Sequence, residues 1–225
     1  MIIVTGASRG LGQAIACRLK KNGKKVIGIS RSTVQADIEG FECDICDYKA
    51  LKSVVKTIKK SGEELEAVIN VAGIAAMNMA ITTDELTVQK VIQTNLIGTI
   101  YSCQLFAPLM IRQKKGIFIN FSTVAVALAL KGEAVYAASK AGVETFSRTF
   151  AREMADFNIR VNCIAPGPIS TDLLKGISDK QIENITSQQI IQKKFEKSDI
   201  CDLVELLIDC RASSISGQII NVGGI

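Results

Sequence analysis

Short, largely apolar runs alternate with longer amphipathic stretches along the whole chain. Such runs are typical of strands buried on both faces of a parallel sheet. They predict strands at residues 2–4, 26–29, 67–69, 117–119, 159–164 and 219–222, with a short additional strand at 40–43. The amphipathic stretches predict helices at residues 10–22, 48–60 and 134–156, and one or two helices within 84–113.

Strands that alternate with helices indicate an α/β protein. We therefore expect a Rossmann-type, doubly wound parallel sheet of about seven strands with helices on both faces. No linker, repeat or low-complexity stretch interrupts residues 1–225, which predicts a single domain. Residues 31–47 leave room for only a turn or a single helical turn after the second strand. Residues 170–197 are polar and lack a clear apolar stripe, and we predict a helical lid over the substrate there.

Composition narrows the range of functions. The net charge of +5 is mild and spread along the chain, whereas nucleic-acid binding calls for more charge on one face. No apolar run is long enough to span a membrane. The seven cysteines are scattered and odd in number, which predicts reduced thiols in a cytoplasmic protein. Cys43 and Cys46 form an isolated CxxC, and the chain has no histidine, so we predict no metal site.

A glycine-rich turn, TGASRGLG at residues 5–12, lies between the first predicted strand and the first predicted helix. Glycines allow a tight turn and a close approach to a pyrophosphate, and the helix N-terminus supplies N–H donors and a positive end. The spacing is GxxxGxG rather than GxGxxG. We expect the turn to bind a dinucleotide through Gly6, Ser8, Arg9, Gly10, Leu11 and Gly12.

The second predicted strand ends at Ser30-Arg31. A carboxylate at this point would hold the adenine-ribose 2′-hydroxyl, whereas a guanidinium can clasp a 2′-phosphate. Arg9 could reach the same phosphate from the glycine turn. The alternative is that both arginines are solvated surface residues. Because the acid is missing, we favour the first interpretation and predict NADP(H) as the cofactor in preference to NAD(H).

Tyr136 and Lys140 are four residues apart in a predicted helix, so the phenol and the ammonium project from one face. A phenol titrates near pH ~10, and a cation one turn away lowers its pKa. Such a tyrosine can pass a proton to or from a carbonyl or alcohol oxygen. An isolated pair of this kind is more typical of an ordinary helix surface, but the glycine turn favours the catalytic interpretation.

Taken in order, these motifs resemble those of the short-chain dehydrogenase/reductase family, in its compact single-domain type, and are similar to those of its 3-oxoacyl-carrier-protein reductases. The resemblance covers nearly the whole chain. Further matches are an acidic segment after the third strand, an NVAG segment at 70–73, a helix asparagine and a PGPIST segment at 166–171. Beyond the glycine turn, the resemblance and the second-strand argument together imply cofactor contacts from Ser30, Arg31, Asp44, Ile45, Asn70, Ala72, Gly73, Tyr136, Lys140, Pro166, Gly167, Ile169 and Thr171.

The resemblance implies an oxidoreductase that transfers hydride between NADP(H) and a ketone or alcohol. Tyr136 would be the general acid/base, and Lys140 would hold the nicotinamide-ribose hydroxyls and lower the pKa of the tyrosine. Asn95 would help to hold a water that links the lysine to solvent. The substrate would be a small-molecule carbonyl compound or an acyl thioester such as a 3-oxoacyl group. A dinucleotide-binding regulatory protein with little turnover is the alternative.

Two positions depart from the family's pattern. Where the family has a serine, thirteen residues before Tyr136, this chain has Thr123, with Ser122 beside it. Neighbouring strand residues point to opposite faces, so only one of the two hydroxyls can face the tyrosine. Ungapped spacing favours Thr123 as the catalytic hydroxyl donor. Val71 replaces the second asparagine of the family's NNAG segment, a change that we expect to affect stability more than chemistry.

The resemblance also implies a homodimer or homotetramer that pairs through the two long helices, at about 95–113 and 134–156. Phe106, Leu109, Phe146 and Phe150 could lie on such an interface. They could equally face the sheet, and the pattern alone leaves both placements open.

Overall fold

The computed structural model describes residues 1–34, 38–169 and 179–225. Within these ranges, seven strands form one sheet in which every pairing is parallel. The strands are β1 Ile2–Thr5, β2 Val26–Ser30, β3 Glu39–Glu42, β4 Ala67–Asn70, β5 Gly116–Phe121, β6 Ile159–Ala165 and β7 Ile219–Asn221. Their order across the sheet is β3-β2-β1-β4-β5-β6-β7. The predicted Rossmann-type parallel sheet is therefore confirmed.

Helices alternate with the strands, as the amphipathic pattern predicts. They are α1 Gly10–Lys21, α2 Tyr48–Lys60, α3 Glu85–Ile92, α4 Gly98–Gln113, α5 Ala125–Leu128, α6 Ala134–Met154, α7 Asp179–Ser187 and α8 Lys197–Ile208. Aspartates begin two of them, since the side chains of Asp47 and Asp84 accept hydrogen bonds from the backbone N–H groups of Ala50 and Thr87. No helix within the described ranges is both long and apolar enough to cross a bilayer.

Helices cover both faces of the sheet because alternate strand residues point to opposite sides. On one face, Ile2 and Val4 of β1 belong to a buried cluster that includes apolar residues of α1 and α8. On the other face, Ile3 belongs to a cluster that includes residues of α2, α4 and α6. Phe106 and Phe150 lie in this second cluster and are almost fully buried, so both face the sheet.

Two features of the helices were not predicted from the sequence. The region 84–113 is one helical run, but a π-helical turn at Gln93–Ile97 separates α3 from α4. Helix α8 was not predicted, although Ile200, Val204 and Leu207 form a buried stripe along it. The predicted lid at 170–197 lies partly outside the described residues, and its described part contains α7. The described residues of 31–47 contain β3 but no complete helix before it.

The strand order positions the functional site. The chain leaves β1 toward β2 and β3 on one side and returns to β4 on the other, so the order reverses between β1 and β4. In open parallel sheets, the crevice at such a reversal lies beyond the carboxyl ends of the strands and is where ligands bind. The glycine turn follows β1 at this point, and the NVAG segment follows β4.

Candidate active site

The glycine turn has a backbone geometry that requires glycine. Gly6 and Gly10 have φ values of +71° and +62°, which residues with a Cβ rarely adopt. A Cβ on Gly12 would lie 2.3 Å from the carbonyl oxygen of Gly6, so the first turn of α1 can approach the end of β1 only without a side chain there. A Cβ on Gly10 would meet nothing within 4 Å, because this side of the turn is open.

The N-terminus of α1 faces this open side. Its N-cap residue, Arg9, is extended, and no side chain caps the helix. The first N–H groups of a helix have no partner within the helix and carry its positive end, so they suit a phosphate. The turn therefore fits the pyrophosphate of a dinucleotide by its geometry and by its charge.

A cavity of about 740 Å³ runs from the glycine turn to Tyr136 and beyond. It brings together nearly all the residues predicted from the sequence. Those that line it are Gly6, Ser8, Arg9, Gly10, Leu11, Gly12, Ser30, Arg31, Asp44, Ile45, Ala72, Gly73, Thr123, Tyr136, Lys140, Pro166, Gly167 and Ile169. Thr171 lies outside the described residues.

Asn70 differs from the prediction that it contacts the cofactor. Its side chain is 3% exposed and does not line the cavity. The Asn70 amide instead donates a 2.8 Å hydrogen bond to Oδ1 of Asn120, its register partner on β5. Asn120 in turn donates to Ser147 of α6. Asn70 therefore ties the sheet to a helix beneath the cavity.

Asn95 lies in the π-helical turn and is fully buried. Its Oδ1 accepts from the backbone N–H of Ile74 at 2.8 Å, and its Nδ2 donates to the carbonyl of Ile74 at 2.9 Å. Nδ2 also donates to Ser139 of α6 at 3.0 Å. These bonds fix the segment after β4 against α6, close to Lys140. Asn95 itself does not line the cavity.

The two hydroxyls at the end of β5 take different directions. Ser122 donates a 2.6 Å hydrogen bond to Glu144, a buried residue of α6. Thr123 lies near Tyr136, and its side chain is close enough to lower the pKa of the phenol by hydrogen bonding. The structure thus brings Thr123 to the tyrosine and engages Ser122 elsewhere, as the ungapped spacing favours.

Burial is the main cause of the pKa shifts of Tyr136 and Lys140. It raises the pKa of Tyr136 to about 12, with a further contribution from the negative charge of Glu133. Burial lowers the pKa of Lys140 to about 8. The Lys140 ammonium donates a 2.8 Å hydrogen bond to the carbonyl of Phe121. Lys140 is not among the causes of the Tyr136 shift, so the expectation that it lowers the pKa of Tyr136 stays a prediction.

The other end of the cavity carries exposed positive charge. Arg9 and Arg31 are both exposed and line it. Glu42 is the register partner of Ser30 on the neighbouring strand, but it accepts a 2.7 Å hydrogen bond from Thr33 and does not line the cavity. Among the described residues that line the cavity at the end of β2, none is therefore a carboxylate.

Two residues near the site escaped the sequence-based prediction. Glu133 lines the cavity three residues before Tyr136 and is 8% exposed. A carboxylate so close to the YxxxK motif was a signal that could have found it. Gln189, which follows α7, is 2% exposed and donates a 3.0 Å hydrogen bond to the carbonyl of Val222. Its amide occupies the space that a side chain on Gly167 or Gly223 would fill.

The fold and the arrangement of these side chains define a nicotinamide-dependent oxidoreductase, and the chain belongs to the short-chain dehydrogenase family. The family model described as short chain dehydrogenase matches residues 1–182. Members of this family bind a nicotinamide cofactor, and the lining of the cavity fits such a molecule.

Individual relatives match nearly the full length of the chain. It is 33% identical to the 3-oxoacyl-(acyl-carrier-protein) reductase FabG of Staphylococcus aureus over 235 residues, which cover 99% of this chain and 96% of the relative. It is 32% identical to the enzyme of the same name from Salmonella typhimurium, over 99% of this chain and 95% of the relative. The ligand-free structure of Thermoplasma acidophilum aldohexose dehydrogenase is similar with a TM-score of 0.89 and 28% identity, and covers 99% of this chain and 92% of that one.

Proposed function

We propose that this protein is an NADP(H)-dependent short-chain reductase that interconverts a carbonyl compound and its alcohol. The observation that carries the proposal is the convergence of Thr123, Tyr136 and Lys140 on one end of a cavity whose other end is the glycine turn. Proton-transfer groups and a pyrophosphate cradle in one cavity are what hydride transfer between a dinucleotide and a carbonyl requires.

Each side chain has a role that its position supports. A bound nicotinamide cofactor supplies the hydride that adds to the carbonyl carbon. Tyr136 gives the proton to the carbonyl oxygen as a general acid, and it retains that proton at neutral pH because its pKa is about 12. Thr123 donates a hydrogen bond to the same oxygen, where negative charge develops. Lys140 binds the ribose hydroxyls, and its charge stabilises the phenolate that forms.

The proposed preference for NADP(H) rests on charge. Arg9 and Arg31 border the nucleotide end of the cavity, and both are exposed and free to rearrange around a phosphate. Arg31 immediately follows β2, where a 2′-phosphate would lie. Glu42, the register partner of Ser30, accepts a hydrogen bond from Thr33 and does not line the cavity. Guanidinium groups bind phosphate bidentately, which makes them the natural partners of this group.

The substrate would be an acyl thioester, as the names of the FabG relatives suggest, or a small polar ketone or aldehyde. Residues 170–197, with α7 at their centre, would cover it as a lid. The test is the oxidation of NADPH, followed by absorbance, with a panel that includes a 3-oxobutyryl thioester, simple ketones and hydroxylated ketones. We expect turnover with at least one class and weaker turnover with NADH. Tight NADPH binding without any turnover would instead favour a regulatory dinucleotide-binding protein.

A further inference from the structure

Glu133 places a buried carboxylate at the catalytic end of the cavity. It is the N-cap residue of α6, it lies three residues before Tyr136, and it is 8% exposed. It lines the cavity together with Tyr136, and its negative charge contributes to the raised pKa of the phenol. The glycine turn and the two arginines are at the other end.

In the described part of the chain, no hydrogen bond or ion pair to the Glu133 carboxylate is formed. It does not cap α6, because no side-chain hydrogen bond is made to the first turn. Burial alone raises the pKa of Glu133, with no cation or hydrogen-bond donor among the causes. Lys140 is the nearest cavity-lining ammonium along the helix, and it is bonded to the carbonyl of Phe121.

Because Glu133 lines the cavity, a ligand that donates a hydrogen bond to its carboxylate gains affinity that a ligand without a donor cannot. The carboxylate borders the same cavity as Thr123 and Tyr136. A substrate whose carbonyl oxygen lies between these two hydroxyls therefore occupies a cavity that Glu133 also lines. A donor on the carbon next to that carbonyl would meet the Glu133 carboxylate.

We propose that Glu133 determines substrate specificity by accepting a hydrogen bond from a hydroxyl or amino group beside the carbonyl that is reduced. The proposal rests on the proposed function and narrows its substrate class to carbonyl compounds with a donor next to the reacting group. Simple ketones and 3-oxoacyl groups have no such donor on the adjacent carbon, so they donate no hydrogen bond to the Glu133 carboxylate.

The test compares hydroxyacetone with butanone, two ketones of the same size in which a hydroxyl replaces a methyl group. In the wild-type protein with NADPH, we expect kcat/KM to be about 10- to 100-fold higher for hydroxyacetone, the range for a hydrogen bond to a charged group. Glu133→Leu should abolish the preference. Aminoacetone distinguishes the two donors, because Glu133→Gln keeps an acceptor for a hydroxyl but loses the charge that favours an ammonium.

Glu153→Gln is the matched control, since Glu153 is an exposed residue of the same helix. NADPH affinity and melting temperature of each variant show whether it is folded, and Glu133→Gln provides a conservative variant should Glu133→Leu be unstable. If the wild type reduces both ketones with equal efficiency, or if the preference persists in Glu133→Leu, the role assigned to Glu133 is wrong. The proposed function is unaffected by that outcome. No turnover with any carbonyl compound overturns the proposed function and this inference with it.

Discussion

The hydroxyl of Ser122 donates a 2.6 Å hydrogen bond to Oε1 of Glu144, across the junction between β5 and α6. Both residues are buried, and the bond commits this hydroxyl although Ser122 borders the cavity. Thr123 is left as the hydroxyl beside Tyr136. The bond also holds the end of β5 against the helix that carries the tyrosine, which fixes the distance between the two proposed hydroxyl donors.

Replacing Thr123 and Ser122 in turn tests this division of roles. Thr123→Val keeps the shape but removes the donor, and we expect a loss of about 10²- to 10³-fold in kcat, as for removal of one oxyanion donor. Ser122→Ala should change kcat far less but destabilise the fold by about 1–3 kcal/mol, because the buried Glu144 loses the hydrogen bond from Ser122. Steady-state kinetics and urea unfolding measure the two effects. The reverse pattern would assign the catalytic hydroxyl to Ser122.

Tyr136→Phe removes the proposed proton donor without changing the ring. We expect kcat to fall by about 10²- to 10⁴-fold, the usual contribution of a general acid, while the affinity for NADPH stays within a few-fold. Tyr101→Phe is the control, since this tyrosine lies on α4 with its ring against Tyr48 and does not line the cavity. Wild-type turnover by Tyr136→Phe would exclude the phenol as the acid.

Arg31→Ala should reduce the preference for NADPH over NADH. The loss of a charge-assisted contact of about 1.5–3 kcal/mol corresponds to roughly a 10- to 100-fold smaller ratio of the two kcat/KM values. Arg112→Ala removes an exposed arginine of α4 that does not line the cavity, and should leave the ratio unchanged. An unchanged ratio in Arg31→Ala would remove the main support for NADP(H).

The buried Lys140 should make stability depend on pH. Its pKa is about 8 in the folded protein against the ordinary lysine value of 10.5, so between these values the unfolded chain binds more protons. The contribution of Lys140 to the free energy of unfolding therefore rises with pH across this window. Urea unfolding of the wild type and Lys140→Met, at pH values below and above the window, measures it. The free energy of unfolding of the wild type, relative to that of Lys140→Met, should be larger at the higher pH. A difference that does not change with pH would contradict the assigned pKa.

Gly12→Ala tests the close approach of α1 to β1. The added Cβ would lie 2.3 Å from the oxygen of Gly6, so the turn must move. We expect a destabilisation of about 1–3 kcal/mol, as for overpacking, and weaker nucleotide binding. Gly62→Ala is the control, because it strains the backbone without a steric clash. Gly62 has a φ of +72°, but nothing lies within 4 Å of an added Cβ. That variant should lose some stability but keep its affinity for the nucleotide.

The sequence predicted the elements whose patterns are local. The strands at 26–29 and 67–69 were predicted to within one residue, because a buried parallel strand is a continuous apolar run. Helix α8 has an equally regular stripe and could have been predicted from the spacing of Ile200, Val204 and Leu207. The π-helical turn at Gln93–Ile97 has no such signal, because it depends on how α3 and α4 pack against the rest of the fold.

The site was predictable in its membership but not in its energetics. Helical spacing identified Tyr136 and Lys140, because residues four apart share a face, and the family's pattern of spacing identified Thr123. The pKa values depend on burial, which the sequence does not give, so the raised pKa of Tyr136 was not foreseen. Asn70 was assigned to the cofactor because the NVAG segment resembles the family's NNAG segment, but its side chain bonds to Asn120 and does not line the cavity.

Gln189 belongs by chain order to the predicted lid at 170–197, yet its hydrogen bond joins it to Val222, the residue after β7. The backbone N–H of Ile191 also bonds to the carbonyl of Gly223. Anyone who exchanges this segment with that of a relative to alter substrate range should therefore place the junction before residue 188. The Gln189 amide occupies space that Gly167 and Gly223 leave open because they have no side chains. A graft with a different side chain at 189 would therefore also require changes at these two glycines.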